Sequence, residues 1–145
     1  MTTVPTSADR LPSAAALSSI SSKLQKNLFF LILVFVGNSV GALVLIGATY
    51  AMATQDRFTG ASLYFGYLAD GIPAAVFAAA AALTTVVVIR TWKMLTAANS
   101  GEIAALTQLS SPGWAVVAIF ACWVVPGITL LKVNTAIKEL KTEPR

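Results

Sequence analysis

Three long stretches of this chain carry no charged residue: Asn27 to Gln55, Gly71 to Ile89 and Ile103 to Leu131. A helix needs about 20 apolar residues to cross the ~30 Å hydrocarbon core of a bilayer, and each stretch supplies them once the polar start of the third is trimmed. Lipid offers no water to a backbone, so only helices or strands closed into a barrel can satisfy their own amides and carbonyls. Barrel strands alternate with a period of two, and nothing in these stretches does. Composition agrees: 57% of residues are hydrophobic and 11% charged, against about 25% charged in soluble domains. The expected fold is an all-α integral membrane protein, a small bundle of three transmembrane helices with short interfacial amphipathic helices. The spans fall at about residues 28–53, 72–92 and 113–131, in a membrane domain of residues 28–132. A polar N-terminal tail (1–27) precedes it and an amphipathic C-terminal tail (133–145) follows.

The first apolar run begins only at Leu28 and exceeds the ~7–15 residues of a signal peptide's hydrophobic region, so it reads as a retained span. Ahead of it, Leu17, Ile20 and Leu24 recur at helical spacing. That spacing suits a helix lying on the membrane surface, with simple disorder the other reading of residues 1–15. Within the first span, Gly37 and Gly41 share one helix face and would let a second backbone approach closely. Asn38 beside them is placed to hydrogen-bond across such a contact. These three are the candidate helix-packing residues. The second span should start at Pro73, behind Asp70 and its favourable place at a positive helix end. It should stop at Arg90-Thr91-Trp92-Lys93, with Trp92 an interface anchor. The aromatic connection Tyr64, Phe65 and Tyr67 reads as an interfacial belt. Ser111, Pro112 and Trp114 read as the cap, first position and interface anchor of the third span. A short surface helix is expected just before it, from Glu102. Pro126 and Gly127 should kink or break the third span. Val133, Ile137 and Leu140 then form a stripe suited to the membrane interface.

From Trp92 onward the chain sets out Asn99, Ser111-Pro112-Gly113-Trp114-Ala115-Val116, Trp123-Val124-Val125-Pro126 and Lys138-Glu139-Leu140. In this order of motifs it resembles a family of bacterial multi-span membrane proteins known as a domain of unknown function. The likeness covers about residues 72–141, and Ser-Pro-Gly-Trp is its most specific part. The chain departs from the family after the proline, where Gly127-Ile128-Thr129 replaces an aliphatic residue and an Asn, and Val133 stands near an expected second proline. The resemblance implies a helical membrane fold and a multi-pass protein of a cell membrane, the bacterial inner membrane. It implies no activity.

The inventory for chemistry is sparse. The chain has no His and one cysteine, Cys122, which leaves no internal disulfide and no multi-cysteine metal site. Asp56, Asp70 and Glu102 are the carboxylates between the termini, and all fall outside the apolar runs. Polar groups within the spans are Asn38, Ser39, Thr49, Thr84, Thr85 and Thr129. A hydroxyl in such a helix usually bonds its own backbone and needs a neighbouring base to act as a nucleophile. The expectation is a non-catalytic protein without cofactor or metal: a binding or structural accessory subunit of a membrane complex. Its partners would be the lipid bilayer and a protein partner or further copies of itself. A small oligomeric channel or holin-like pore, lined by Asn38, Thr84 and Thr85, is the alternative. The ten Lys and Arg residues flank the apolar runs rather than forming a basic face, which points away from nucleic acid.

Orientation divides the readings. With three full spans the cations split five and five across the membrane, whereas short loops normally show a clear excess on one side. If the third span turned back at Pro126-Gly127, the split would be nine to one. The return segment Ile128 to Leu131 is short, and the complete, kinked span is the expectation adopted.

Overall fold

The computed structural model describes residues 11–54, 60–122 and 124–142, and every element in them is helical. Helix α1 (Leu11–Thr54) runs 44 residues without a break, about 66 Å at 1.5 Å per residue. A short helix α2 (Ala61–Gly66) leads through a π-helical turn (Tyr67–Gly71) into α3 (Ile72–Ser100). Helix α4 (Ile103–Leu109), α5 (Pro112–Ala121) and α6 (Val124–Thr142) follow. The helices α1 and α3 form a long antiparallel pair. Its register is fixed where Ser21 Oγ donates to Asn99 Oδ1 at 2.6 Å and where Gly41 faces the Phe77 ring.

Two of these helical stretches, residues 14–54 and 64–100, are long and apolar enough to cross a membrane. The second does not begin at Pro73. The chain is already helical there, and it widens into a π turn immediately ahead of the proline. A proline inside a helix has no amide hydrogen, and its ring crowds the carbonyl one turn back. The wider turn accommodates both, a common cause of π segments within helices. Nor does the helix stop at Trp92. It continues two turns to Ser100 and ends on Gly101 at φ 73, the left-handed cap that glycine adopts without strain.

The third apolar stretch is not one continuous helix. It breaks first between α4 and α5, which meet at a 53° bend, and then between Ala121 and Val124, ahead of the Pro126-Gly127 pair expected to kink it, and α6 runs through both residues. Pro126 stands in the first turn of α6, where amides have no partner within the helix and a proline removes no bond. After the break the chain turns back. A Cβ built on Gly127 would overlap the Ile119 side chain, and would stand 2.7 Å from the Ile119 amide nitrogen and 2.9 Å from the Ala115 carbonyl oxygen. In a continuous helix Ala115 and Gly127 would lie about 18 Å apart. So α5 and α6 form a tight antiparallel hairpin whose crossing only glycine permits.

Both amphipathic stripes are placed differently from the surface positions expected of them. Ile20 and Leu24 on α1, and Val133 and Ile137 on α6, are all buried in a single core, with Leu17 and Leu140 packed against it. Met94, Ala97 and Ala98 of α3 and Leu106 of α4 complete that core. The stripe Leu17, Ile20 and Leu24 is thus turned to protein and not to a membrane surface, and so is the stripe of α6. Each stripe is covered by the other. Residues 1–10, 55–59, 123 and 143–145 lie outside the described residues, as does part of each expected tail.

Hairpin closure rests on one missing side chain. Gly127→Ala is expected to lower the stability of the purified protein by about 1–3 kcal/mol, the usual cost of overpacking. Gly113→Ala, whose Cβ would meet only Ser111 Oγ at 3.6 Å, should be tolerated. Thermal unfolding in mild detergent, followed by loss of helical circular dichroism, separates the two.

Candidate functional site

The core that joins α1, α3 and α6 is not uniformly apolar. Helix α1 buries residues 20, 24, 27 and 31, a three-four spacing that keeps one face turned inward. One of these is Asn27. On α3 the buried series includes Thr84, Val87, Thr91 and Met94, and on α6 it includes Leu130, Val133, Asn134 and Ile137. Each helix therefore places an amide or hydroxyl on its buried face.

At the hairpin tip, the Cys122 thiol donates to Thr84 Oγ1 at 3.3 Å, and the Thr84 hydroxyl donates to the Ala80 carbonyl at 2.7 Å. The Ala121 carbonyl lies 3.4 Å from the same hydroxyl. These contacts pin the end of α5 to the middle of α3. Thr84 accepts from the thiol at the break while its single hydroxyl hydrogen keeps the usual bond of a helical threonine to its own previous turn.

Nearer the chain ends, Arg90 crosses from α3 to the α4–α5 junction. Its Nε donates to the Leu109 carbonyl at 2.9 Å, and its guanidinium lies 5.2 Å over the Trp114 ring. Leu109 is the last residue of α4, and carbonyls there have no helical partner, so a cation is the natural group to meet them. Arg90, Thr91, Ser111, Trp114 and Asn134 line a small, partly open cavity of about 10 Å³, at the lower limit for one water molecule. Trp114 is half-buried and packed against the core instead of standing free at an interface, whereas Trp92 is exposed. Ser111 occupies the position before α5 with Pro112 first in the helix, but its side chain makes no capping bond.

Two buried amides stand apart. Asn27 is 2% exposed, and neither its Nδ2 nor its Oδ1 has a partner. Asn38 is 5% exposed, and its Nδ2 has no acceptor. Of the three candidate packing residues, Gly41 meets Phe77, with a built Cβ 3.3 Å from the ring, and so lies in the α1–α3 contact. Gly37 faces open space: a Cβ there would find nothing within 4 Å. The two glycines do not serve one interface within this chain. The candidate pore lining is not brought together either. Thr84 is buried against the hairpin, while Thr85 is exposed and bonds the Ala81 carbonyl.

What the sequence reading missed here is Asn27, Thr91, Asn134 and the pairing of Arg90 with Trp114. The first three carried a signal, since each falls in step with buried apolar neighbours on its helix. The Arg90 contact carried none, because it depends on where α4 ends in space.

Loss of the Arg90 contact should be costly. Arg90→Met leaves the Leu109 carbonyl without its donor and is expected to destabilise by about 1–3 kcal/mol. Arg90→Lys should recover little of this, because an ammonium offers neither the flat face for Trp114 nor a donor held partway along the side chain. The midpoint of thermal unfolding, with intrinsic tryptophan fluorescence reporting on the ring, is the measurement. No protein-family model, curated protein or solved structure matches the chain.

Proposed function

We propose that this chain is an integral protein of a cell membrane, built from two full spans and a re-entrant hairpin, and that it acts as a non-catalytic binding or structural subunit of a membrane assembly. Exposed apolar bulk supports the first part. Phe29, Ile32, Leu33, Val36, Leu43 and Val44 on α1, and Val76, Val86 and Ile89 on α3, are all exposed. A surface of that kind is stable in lipid and a liability in water.

The hairpin fixes the topology of this reading. Its tip meets Thr84, near the middle of the second span, and α6 then leads back toward the end it came from. Broken backbone at such a depth is tolerated where protein buries it, and Thr84 and Cys122 provide that burial. With this path the start of α1 and the end of α6 share a side, and among the described residues Lys23, Lys26, Arg90, Lys93, Lys132, Lys138 and Lys141 all fall toward it. The register sets Lys26 level with Lys93, and Lys132 follows the exit of α6. The positive-inside bias then assigns that end to the cytoplasm. The tie of a three-span arrangement disappears.

A single observation carries the binding role. Beyond the hairpin tip the molecule is only two helices thick, and it leaves a broad open groove of about 490 Å³ lined by residues that include Ile46, Thr49, Tyr50, Tyr67 and Ala78. Small, exposed side chains along α3, Ala75 and Ala78, line it. Such surfaces allow the close helix approach on which association in lipid depends. The Cys122 thiol is taken up in a bond to the Thr84 hydroxyl across two helices, which suits scaffolding rather than group transfer.

Two measurements test this reading. Alkaline carbonate should leave the protein in the membrane pellet. With Cys122→Ser as background, single cysteines at Ser22, Ser100 and Thr135 should react with an impermeant thiol reagent from one side of sealed vesicles, and a cysteine at Thr54 from the other. Release by carbonate, or Thr135 labelling from the side of Thr54, rejects the topology. Purification in mild detergent should retain a partner at fixed stoichiometry.

A further inference from the structure

We infer that Asn38 and Gly37 form the contact between two copies of this chain, side by side in the membrane; this rests on the membrane reading above and names its partner. Asn38 sits near the middle of the first span, on the wall of an open groove it shares with Phe30, Leu33, Val34, Gly37 and Phe77. It is 5% exposed and its Nδ2 has no acceptor. At this depth no water can serve it, and an unsatisfied amide in hydrocarbon is strongly disfavoured. The terminal torsion of an asparagine is soft and nearly two-fold, so the amide can turn toward the groove it lines.

The groove calls for another helix that supplies an acceptor. A carboxamide carries its donor and its acceptor on two separate atoms, so a second Asn38 completes the first: Nδ2 of each to Oδ1 of the other. Copies inserted with the same orientation present Asn38 at the same depth, and a two-fold axis along the membrane normal brings identical residues face to face. Gly37 gives the approach room, since nothing stands within 4 Å of where its Cβ would be. The intramolecular contact is spared, because Gly41, not Gly37, carries the packing on Phe77. The molecule is also thinnest there. The hairpin tip stops at Thr84, and two copies would complete a four-helix layer beyond it.

The experiment is disulfide cross-linking in native membranes, again with Cys122→Ser. Gly37→Cys should yield, under mild oxidation, a product of twice the 15.1 kDa chain mass. Ile32→Cys, on an exposed face turned away from the groove, should not. Asn38→Leu should weaken association roughly three-fold for each bond lost and on the order of ten-fold for the reciprocal pair, read as the dimer fraction on dilution into lipid. Asn38→Gln should restore much of it. Gly37→Leu should abolish the dimer while leaving the thermal midpoint of the monomer unchanged. No product from Gly37→Cys, a product of another mass, equal products from Ile32→Cys, or an unaltered dimer in Asn38→Leu each overturns the proposal. Carbonate extraction and vesicle labelling of the same variants report separately on the membrane reading, so the two failures are distinguishable.

Discussion

The close passage of Gly127 across the backbone of Ala115 and Ile119 governs the rest of the structure. It permits α5 and α6 to fold on each other within a stretch apolar enough to have formed one straight span. Because α6 turns back, its continuation reaches the first part of α1 and not open solvent. That return gives Leu17, Ile20 and Leu24 something to bury against. It also closes the core over Thr91, Met94 and Ala98 and takes in Leu106 of α4. A straight third helix would have left all of these faces uncovered.

Much of the helical architecture was legible, and the reason is physical. Charge-free runs of span length force hydrogen bonds into local helices, so the two long helices follow from composition and spacing. The partners of amphipathic stripes were not legible. Ile20–Leu24 and Val133–Ile137–Leu140 both have the spacing of a helix with one apolar face, and a lipid interface and a protein surface satisfy that face equally well. The choice depends on whether two segments more than a hundred residues apart in the chain meet, which no local pattern encodes. The break shows the same limit on a smaller scale. Pro126 marked the right neighbourhood, but a proline is free of cost in a first turn, so the helix ends earlier, at Cys122, and restarts in time to absorb it. Pro73 gives the opposite outcome, with the helix widened around it and not interrupted. The orphan amides were half visible: Asn38 stood out within a glycine pair, and Asn27, at the polar edge of its run, did not.

Polar groups in this core do different work according to their depth. Thr84 and Cys122 hold the tip with bonds that close entirely within the protein. Arg90, itself half-buried, holds the α4–α5 junction with one hydrogen bond and one aromatic face. Asn27 and Asn134 lie in the three-helix core, where an apolar residue would pack with less penalty. Their presence restricts which helix pairings are acceptable, because a slipped register would place an amide against a purely hydrocarbon surface.

The unbroken length of α1 has a mechanical consequence. Residues 11–26, about 24 Å of helix, continue the apolar segment without a hinge, and α6 and the end of α3 are bound along them. In the proposed membrane placement this makes the chain a stiff lever with its fulcrum in the bilayer. A tilt of about 20°, the average for spanning helices, would carry the cytoplasmic tip sideways by about 8 Å. Bilayer thinning, which changes the tilt a long apolar segment adopts, would thus be read out as lateral displacement of a rigid head.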